Sequence, residues 1–468
     1  MNPSYRFLVW LCPVVMMVVD APAAAQPAVA QTAATQTAST QTTAPHAATT
    51  KTAAPTVPRW ARVSFFAQGS STSPLDGASS SFSELTTNIA AQSAHRPDGG
   101  FEYGLDVRVG AYPSSEDRGQ RVSVYDAYVA QRLSGGRLFV KAGQMWLNDL
   151  GGLGSVAGGL VEFHRSGTGK GLRWRAGAFG GLEPKILEPG YVSGVKKFGG
   201  YVALDGNGAR KHVIGYVNVR NGNLTERSVL TFTNYVPVKQ AFFLYQAAEV
   251  DLAGPAGQGN GGLTYFFANA RVSPSRRADV QFTYHRGRSL DARMITEDIL
   301  NGRPVSAKML DGYLFESLNG RVTVELVKNV RVFAGYGQDK NGSGDQATGR
   351  LSFGLYSSNL FGSGIDLNVT DYRYNRGVQS SYDSWYVSLG RSVGSKVYLT
   401  GEFTSSLSVL RYTQSSGIVI ETKPSTQRFG GSAMIHLTRA MSLFVTAEHT
   451  KDDTYSENRL MTGLTFRF

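Results

Sequence analysis

The 468-residue chain holds a single cysteine, Cys12, and nowhere strings together the roughly 20 apolar residues that a membrane-crossing helix needs. Cys12 falls within an N-terminal leader-like segment, so the rest of the chain forms no disulfide and offers no thiol chemistry. A helical membrane protein is excluded. Runs of basic residues are missing too. The excess of 47 Lys+Arg over 35 Asp+Glu gives a formal charge of +12, but the cations stand singly, which argues against nucleic acid as a partner. The seven histidines are scattered without metal-ligand spacing, so neither a metal nor another cofactor is expected. His285 and Ser289 share a face only if their strand continues past its apparent end, so an enzyme is the weaker reading. Gly152-x-Gly154 superficially matches a nucleotide fingerprint, but the following LVEFHR reads as strand where that chemistry needs a helix.

What is present begins with Arg6, the apolar Phe7–Val19 and Ala23-Ala24-Ala25, the three regions of a secretory signal cut after Ala25. Removing it takes away Arg6 and Asp20 together and leaves the net charge unchanged. Residues 26–58 are rich in Ala, Thr, Gln and Pro and carry one charge, Lys51. Such a tract buries too little apolar surface to offset chain entropy and reads as a disordered linker. It is also too short to plug a transporter barrel.

From Trp60 onward the pattern has a period of two. Leu105, Val107 and Val109 oppose Asp106 and Arg108; Val280, Phe282 and Tyr284 oppose Asp279, Gln281 and Thr283. Mean hydropathy is only −0.19, yet this does not exclude crossing a membrane with strands, because alternating faces cancel in any window. The turns at 134–136, 166–170, 205–209, 327–329 and 438–440 are short and fall on one side. The segments predict an all-β, antiparallel transmembrane barrel over 59–468 with about 22 strands, within a range of roughly 18–22.

Residues 121–165 carry the clearest signal. RVSVYDAYVAQRL alternates, SGG turns, RLFVKAGQM alternates back, and a glycine-rich segment leads into LVEFHR. This order, with Gly143-Gln144-Met145 ending the second strand before the loop Trp146–Gly158, resembles Gram-negative general porins. Gln144 stands where that family carries a basic residue, and the loop has one acid, Asp149. The resemblance implies a loop that folds into the lumen and narrows the pore. The constriction residues expected are Trp146 and Asp149 with the inward cations Arg108, Arg132, Lys141, Arg173 and Arg175. At the C-terminus, Leu464, Phe466 and Phe468 resemble the assembly signal of outer-membrane barrels.

The expected function is a passive outer-membrane channel for small hydrophilic solutes, with a mild anion preference from the basic lumen. The alternatives are an exporter barrel for an acidic polysaccharide, an outer-membrane enzyme, and a non-conducting structural barrel. Expected partners are outer-membrane lipid, lipopolysaccharide and the barrel-assembly machinery, with both the linker and the C-terminus in the periplasm; the porin resemblance implies a homotrimer. The long loop 288–318, with Leu290, Met294, Ile295 and Ile299 near helical spacing, is a second candidate to cover the mouth.

Overall fold

The computed structural model describes residues 59–468 except 95–98, 114–119, 166–172, 186–187, 207–209, 239–240, 256–260, 290, 307–308, 311–312, 343–346, 376–379 and 414–417. The expected signal and linker lie outside the described residues, as do the turn at 166–170 and most of that at 205–209.

The strands are β1 (Trp60–Pro74), β2 (Ser80–Gln92), β3 (Gly100–Ala111), β4 (Gln120–Leu133), β5 (Leu138–Trp146), β6 (Ser155–His164), β7 (Arg173–Pro184) and β8 (Tyr191–Asp205). They continue as β9 (Lys211–Asn221), β10 (Leu224–Val238), β11 (Phe242–Ala253), β12 (Gly262–Ser275), β13 (Ala278–Ser289), β14 (Tyr313–Val327) and β15 (Val330–Asn341). The last are β16 (Thr348–Ser357), β17 (Ile365–Asn375), β18 (Ser380–Val393), β19 (Val397–Thr413), β20 in two pieces (Val419–Thr422 and Ser425–His436), β21 (Met441–Asp452) and β22 (Tyr455–Arg467). Both pieces of β20 pair with β19. Pro424, with no N–H to give, sits at their break, and its carbonyl accepts the Ser408 N–H at 2.9 Å.

Every strand runs antiparallel to its sequence neighbours, and β22 returns to β1 with Arg62 opposite Arg467 and Pro74 opposite Tyr455. The Ala61 N–H donates to the Phe468 carbonyl at 3.1 Å, and the Phe468 N–H donates to the Ala61 carbonyl at 2.8 Å. The result is a closed 22-stranded barrel. Its second strand, polar and mixed in sequence, is paired on both sides.

Alternation assigns the faces. Val129, Val161, Phe163, Val202, Ile214, Phe282, Trp385, Leu389 and Leu460 point outward and are exposed, so their sequence neighbours line the interior. Leu464 and Phe466 share the outward face with Phe65, whose ring meets that of Phe466 edge-on at 6.4 Å. On the interior face several rings lie across glycines of the next strand. A Cβ at Gly104 would overlap the Tyr128 ring, one at Gly177 that of Tyr201, one at Gly287 that of Phe315, and one at Gly354 that of Phe333. The turns at 134–137, 328–329, 394–396 and 437–440 lie at the end that holds both described termini. The opposite end carries the connections 147–154 and 290–312. Two of its hairpins, closed at 222–223 and 453–454, are as tight as those of the terminal end.

Candidate functional site: the inner wall and two inward loops

The loop after β5 is shorter than the sequence suggests, because β6 begins at Ser155 and takes 155–158 into the ladder. What remains is a 3₁₀ turn, Asn148–Leu153, broken at Gly151, whose φ of 58° lies in the left-handed region. The Leu147 N–H donates to the Gly154 carbonyl at 2.8 Å and the Leu150 N–H to the Leu147 carbonyl at 2.9 Å. This small ring folds inward. Leu150 seats against Gly215 of β9, where a Cβ would overlap its Cδ2 and the Thr231 hydroxyl. Leu150, Met145, Leu147, Val156, Leu160, Phe179, Tyr201, Val213, Val217 and Val219 form one buried apolar cluster on the interior side of β5–β9. Fully burying a side chain such as Leu150 contributes about 1.5–3 kcal/mol.

Charge fixes the other side of the loop. Asp149 meets the Arg175 guanidinium of β7 and the Lys211 ammonium of β9. Arg175 also reaches Glu162 of β6 and Asp205 of β8, each at 2.8 Å. Glu162 in turn accepts the Tyr201 hydroxyl and pairs with His164. One arginine therefore ties the loop to three neighbouring strands.

The second loop also turns inward. It carries α1 (Ala292–Leu300), capped by the Asp291 carboxylate, which accepts the Met294 N–H at 2.9 Å. Ile295 and Thr296 are buried. Arg293 binds Glu226 of β10 at 2.6 Å and Glu183 of β7 at 3.3 Å. Burial pulls its pKa down, but the two carboxylates outweigh this and hold it above its ordinary value. Glu183 shares its charge with the buried Lys197, at 3.4 Å.

The expected pore residues do not form a single ring. Asp149 and Arg175 come together. Arg108 pairs with Glu84 at 3.1 Å. Arg132 pairs with Glu102 at 3.0 Å and stacks on Phe139. Lys141 sits over the Tyr128 ring, 3.4 Å from its centroid. Arg173, on the interior face opposite Asp205, is exposed. Trp146 departs from expectation. It is the last residue of β5 and pairs with Ser155, so alternation places it on the outward face with Val140 and Ala142 while Met145 takes the inward position. Further along, Arg331 pairs with Glu325 at 3.3 Å and Arg350 with Asp339 at 2.8 Å, whereas Arg321 lies over the Phe333 ring. His285 sits among the rings of Tyr265, Phe267 and Phe315, at 4.7–5.9 Å.

Sequence reasoning missed Leu150, Lys211, Tyr201, Glu183, Glu226 and Arg293 as parts of the site. The signal that could have found the loop's seat is β9 itself. Its inward set Val213, Gly215, Val217 and Val219 carries no polar group, which an interior bathed only by water would not favour.

A closed antiparallel barrel with a loop laid on its inner wall is the porin-type architecture that the sequence resembles. No family model matches the chain, and no curated protein matches it. Among solved structures it is similar to Pseudomonas aeruginosa OccK8 (OprE), with 10% identity over 88% of this chain and 98% of that one, at a TM-score of 0.42. It is similar also to Pseudomonas aeruginosa OpdQ, with 10% identity, the same coverage of 88% and 98%, and a TM-score of 0.41. An anion-selective porin from Comamonas acidovorans shares 12% identity over 62% of this chain and 93% of that one, at a TM-score of 0.34. Likeness this faint brings no substrate or selectivity to the chain, and the barrel rests on its own strand ladder.

Proposed function

We propose that the chain is a passive outer-membrane channel for small hydrophilic solutes. The observation that carries this reading is the closed barrel whose outward positions are mostly apolar and whose inward positions are mostly polar or charged. In hydrocarbon each unpaired backbone group costs several kcal/mol, so closure is the condition for crossing lipid with strands. A wall that turns its charges and hydroxyls inward encloses water. The termini and the turns beside them then belong to the periplasm and the two inward loops to the outer mouth. Outer-membrane lipid and lipopolysaccharide surround the belt, the assembly machinery engages Leu464, Phe466 and Phe468, and the assembled form is a homotrimer.

The finer reading is a mild anion preference. Its support is the formal charge of +12, with Lys141, Arg173 and Arg321 facing inward and no carboxylate within 4.0 Å of their charged nitrogens among the described residues. Pairing of Arg108, Arg132, Arg175, Arg331 and Arg350 keeps that preference weak. The same pairing speaks against an exporter of acidic polysaccharide, which needs a continuous basic path. Purified protein in a planar bilayer should give stepwise conductance, with a reversal potential of anionic sign across a KCl gradient. An inserted, folded barrel without conductance refutes the channel, and a cationic potential refutes the preference alone.

A further inference from the structure

The inner wall of β16–β19 differs in kind from the rest. Leu351, Phe353, Trp385, Leu389, Leu399 and Leu407 point outward there, so the even-numbered positions face inward. Nearly all of these are Tyr, Ser, Thr, Asn or Gly; among the described residues charge appears only at Arg350, Asp366 and Glu402. Arg350 is already paired with Asp339, and Asp366 accepts the Tyr398 hydroxyl at 2.9 Å.

Among the described side chains, six tyrosines stand on this face: Tyr356, Tyr372, Tyr374, Tyr382, Tyr386 and Tyr398. Their register spreads them down the wall rather than bunching them. Tyr374 and Tyr382 are cross-strand partners. Tyr372 falls in the next inward row, opposite Ser384, and Tyr386 in the one after, opposite Thr370. Tyr356 follows opposite Asn368, and Tyr398 lies two rows beyond, opposite Ser392. Successive inward rows are about 7 Å apart. The rings of Tyr372 and Tyr382 meet edge-on at 6.4 Å.

We propose that this strip binds uncharged, polyhydroxylated solutes, sugars above all, and hands them down the channel. A tyrosine offers a rigid apolar face at low entropic cost together with a hydroxyl that both donates and accepts. A sugar ring presents the complement, a C–H face and a rim of hydroxyls that the neighbouring Ser and Thr can meet. The row spacing matches solutes of one or more sugar rings. Charged solutes find almost no unpaired charge on this strip.

The inference rests on the channel reading, so the test separates the two. Maltotriose should interrupt single-channel current in a saturable, concentration-dependent way, while polyethylene glycol of similar size should lower it without saturation. Replacing Tyr372, Tyr374 and Tyr382 together by Ala should weaken half-saturation by about tenfold, a modest loss for three stacking faces; replacing the same three by Phe should keep most of the binding. Calorimetric titration of maltotriose into the detergent-folded barrel reads the same affinity without any conductance. A conducting channel indifferent to maltotriose, or an Ala variant that is folded and binds as the parent does, overturns the strip and leaves the channel. A barrel that binds maltotriose but carries no current overturns the channel and leaves the strip.

Discussion

The walls β5–β9 and β16–β19 are built from the same pleat and alternation, yet one is filled and the other is left clear. Along β5–β9 the inward positions include Met145, Leu160, Phe179, Tyr201, several valines and opposed charges, and a loop is pressed onto them by Leu150 and clasped by Arg175. Along β16–β19 they are mostly Tyr, Ser, Thr and Asn, and none belongs to the buried apolar cluster. Inward apolar residues make sense only where protein covers them, because exposed to luminal water each forgoes its burial free energy. Neutral hydroxyls make sense where water or solute passes. On the channel reading proposed above, the path would run off-centre, against the tyrosine wall.

The hardest blow to this contrast is Arg175→Ala. Arg175 is 14% exposed and Glu162 6%, and removing one partner of such a buried network costs about 3–5 kcal/mol because the carboxylates are left uncompensated. The barrel's unfolding temperature, followed by heat-dependent gel mobility, should fall well below that of Tyr386→Ala. Equal losses would mean that the two walls are braced alike.

Leu150→Ala comes next. It should loosen the loop's seat by about 2–5 kcal/mol while leaving the strand ladder intact. Single-channel conductance should rise and become noisier. Gly215→Val, which drives a side chain into the space of Leu150, should do the same by another route. Unchanged conductance in both would take the loop off the path.

A smaller effect belongs to Arg173→Glu. Arg173 is exposed on the interior face, outside the clasp, so its reversal should shift the potential towards cations without destabilising the barrel. The shift should shrink as salt rises, since screening acts over about 10 Å at 0.1 M. No shift would show that ions pass elsewhere.

The smallest concerns the rim beside the tyrosine wall. Asp453 accepts the Ser425 N–H at 2.6 Å and the Ser425 hydroxyl at 2.8 Å, and these bonds hold its carboxyl below the usual carboxylate range. A depressed folded pKa contributes stability above the unfolded value and loses it as pH falls through the folded one. The protection of the Ser425 amide, relative to its intrinsic exchange rate at each pH, should therefore fall only on strong acidification, and Asp453→Asn should remove that pH dependence.

The strands were legible because a lipid-facing barrel repeats one signal, an apolar residue at every second position, and β3, β7, β13 and β22 all show it. Legibility failed where lipid no longer imposes that signal. β8 begins at Tyr191, earlier than its apolar alternation suggests, because the strand continues through Ser, Gly and Lys residues that carry no pattern, and β14 begins at Tyr313 because Tyr313–Leu318 pair with the end of β13. Arg175 was visible as an inward cation, but its three acids come from the loop, β6 and β8, and spacing along one strand cannot bring them together. Trp146 was misplaced through a loop boundary, since one more paired residue decides which face a side chain takes.

The rings laid over glycines bear on how such a chain can change over time. At Gly104, Gly177 and Gly287 a methyl group would overlap an aromatic ring from the adjacent strand, so a larger residue there requires that ring to move or be lost. Each pair forms a coupled two-residue unit: a side chain at the glycine is accommodated only if the ring swings away or is lost, and the ring's present seat requires a glycine. Because every unit joins two adjacent strands, drift in the sequence is channelled into steps that preserve which strand lies beside which, long after the loops and the luminal side chains have been exchanged.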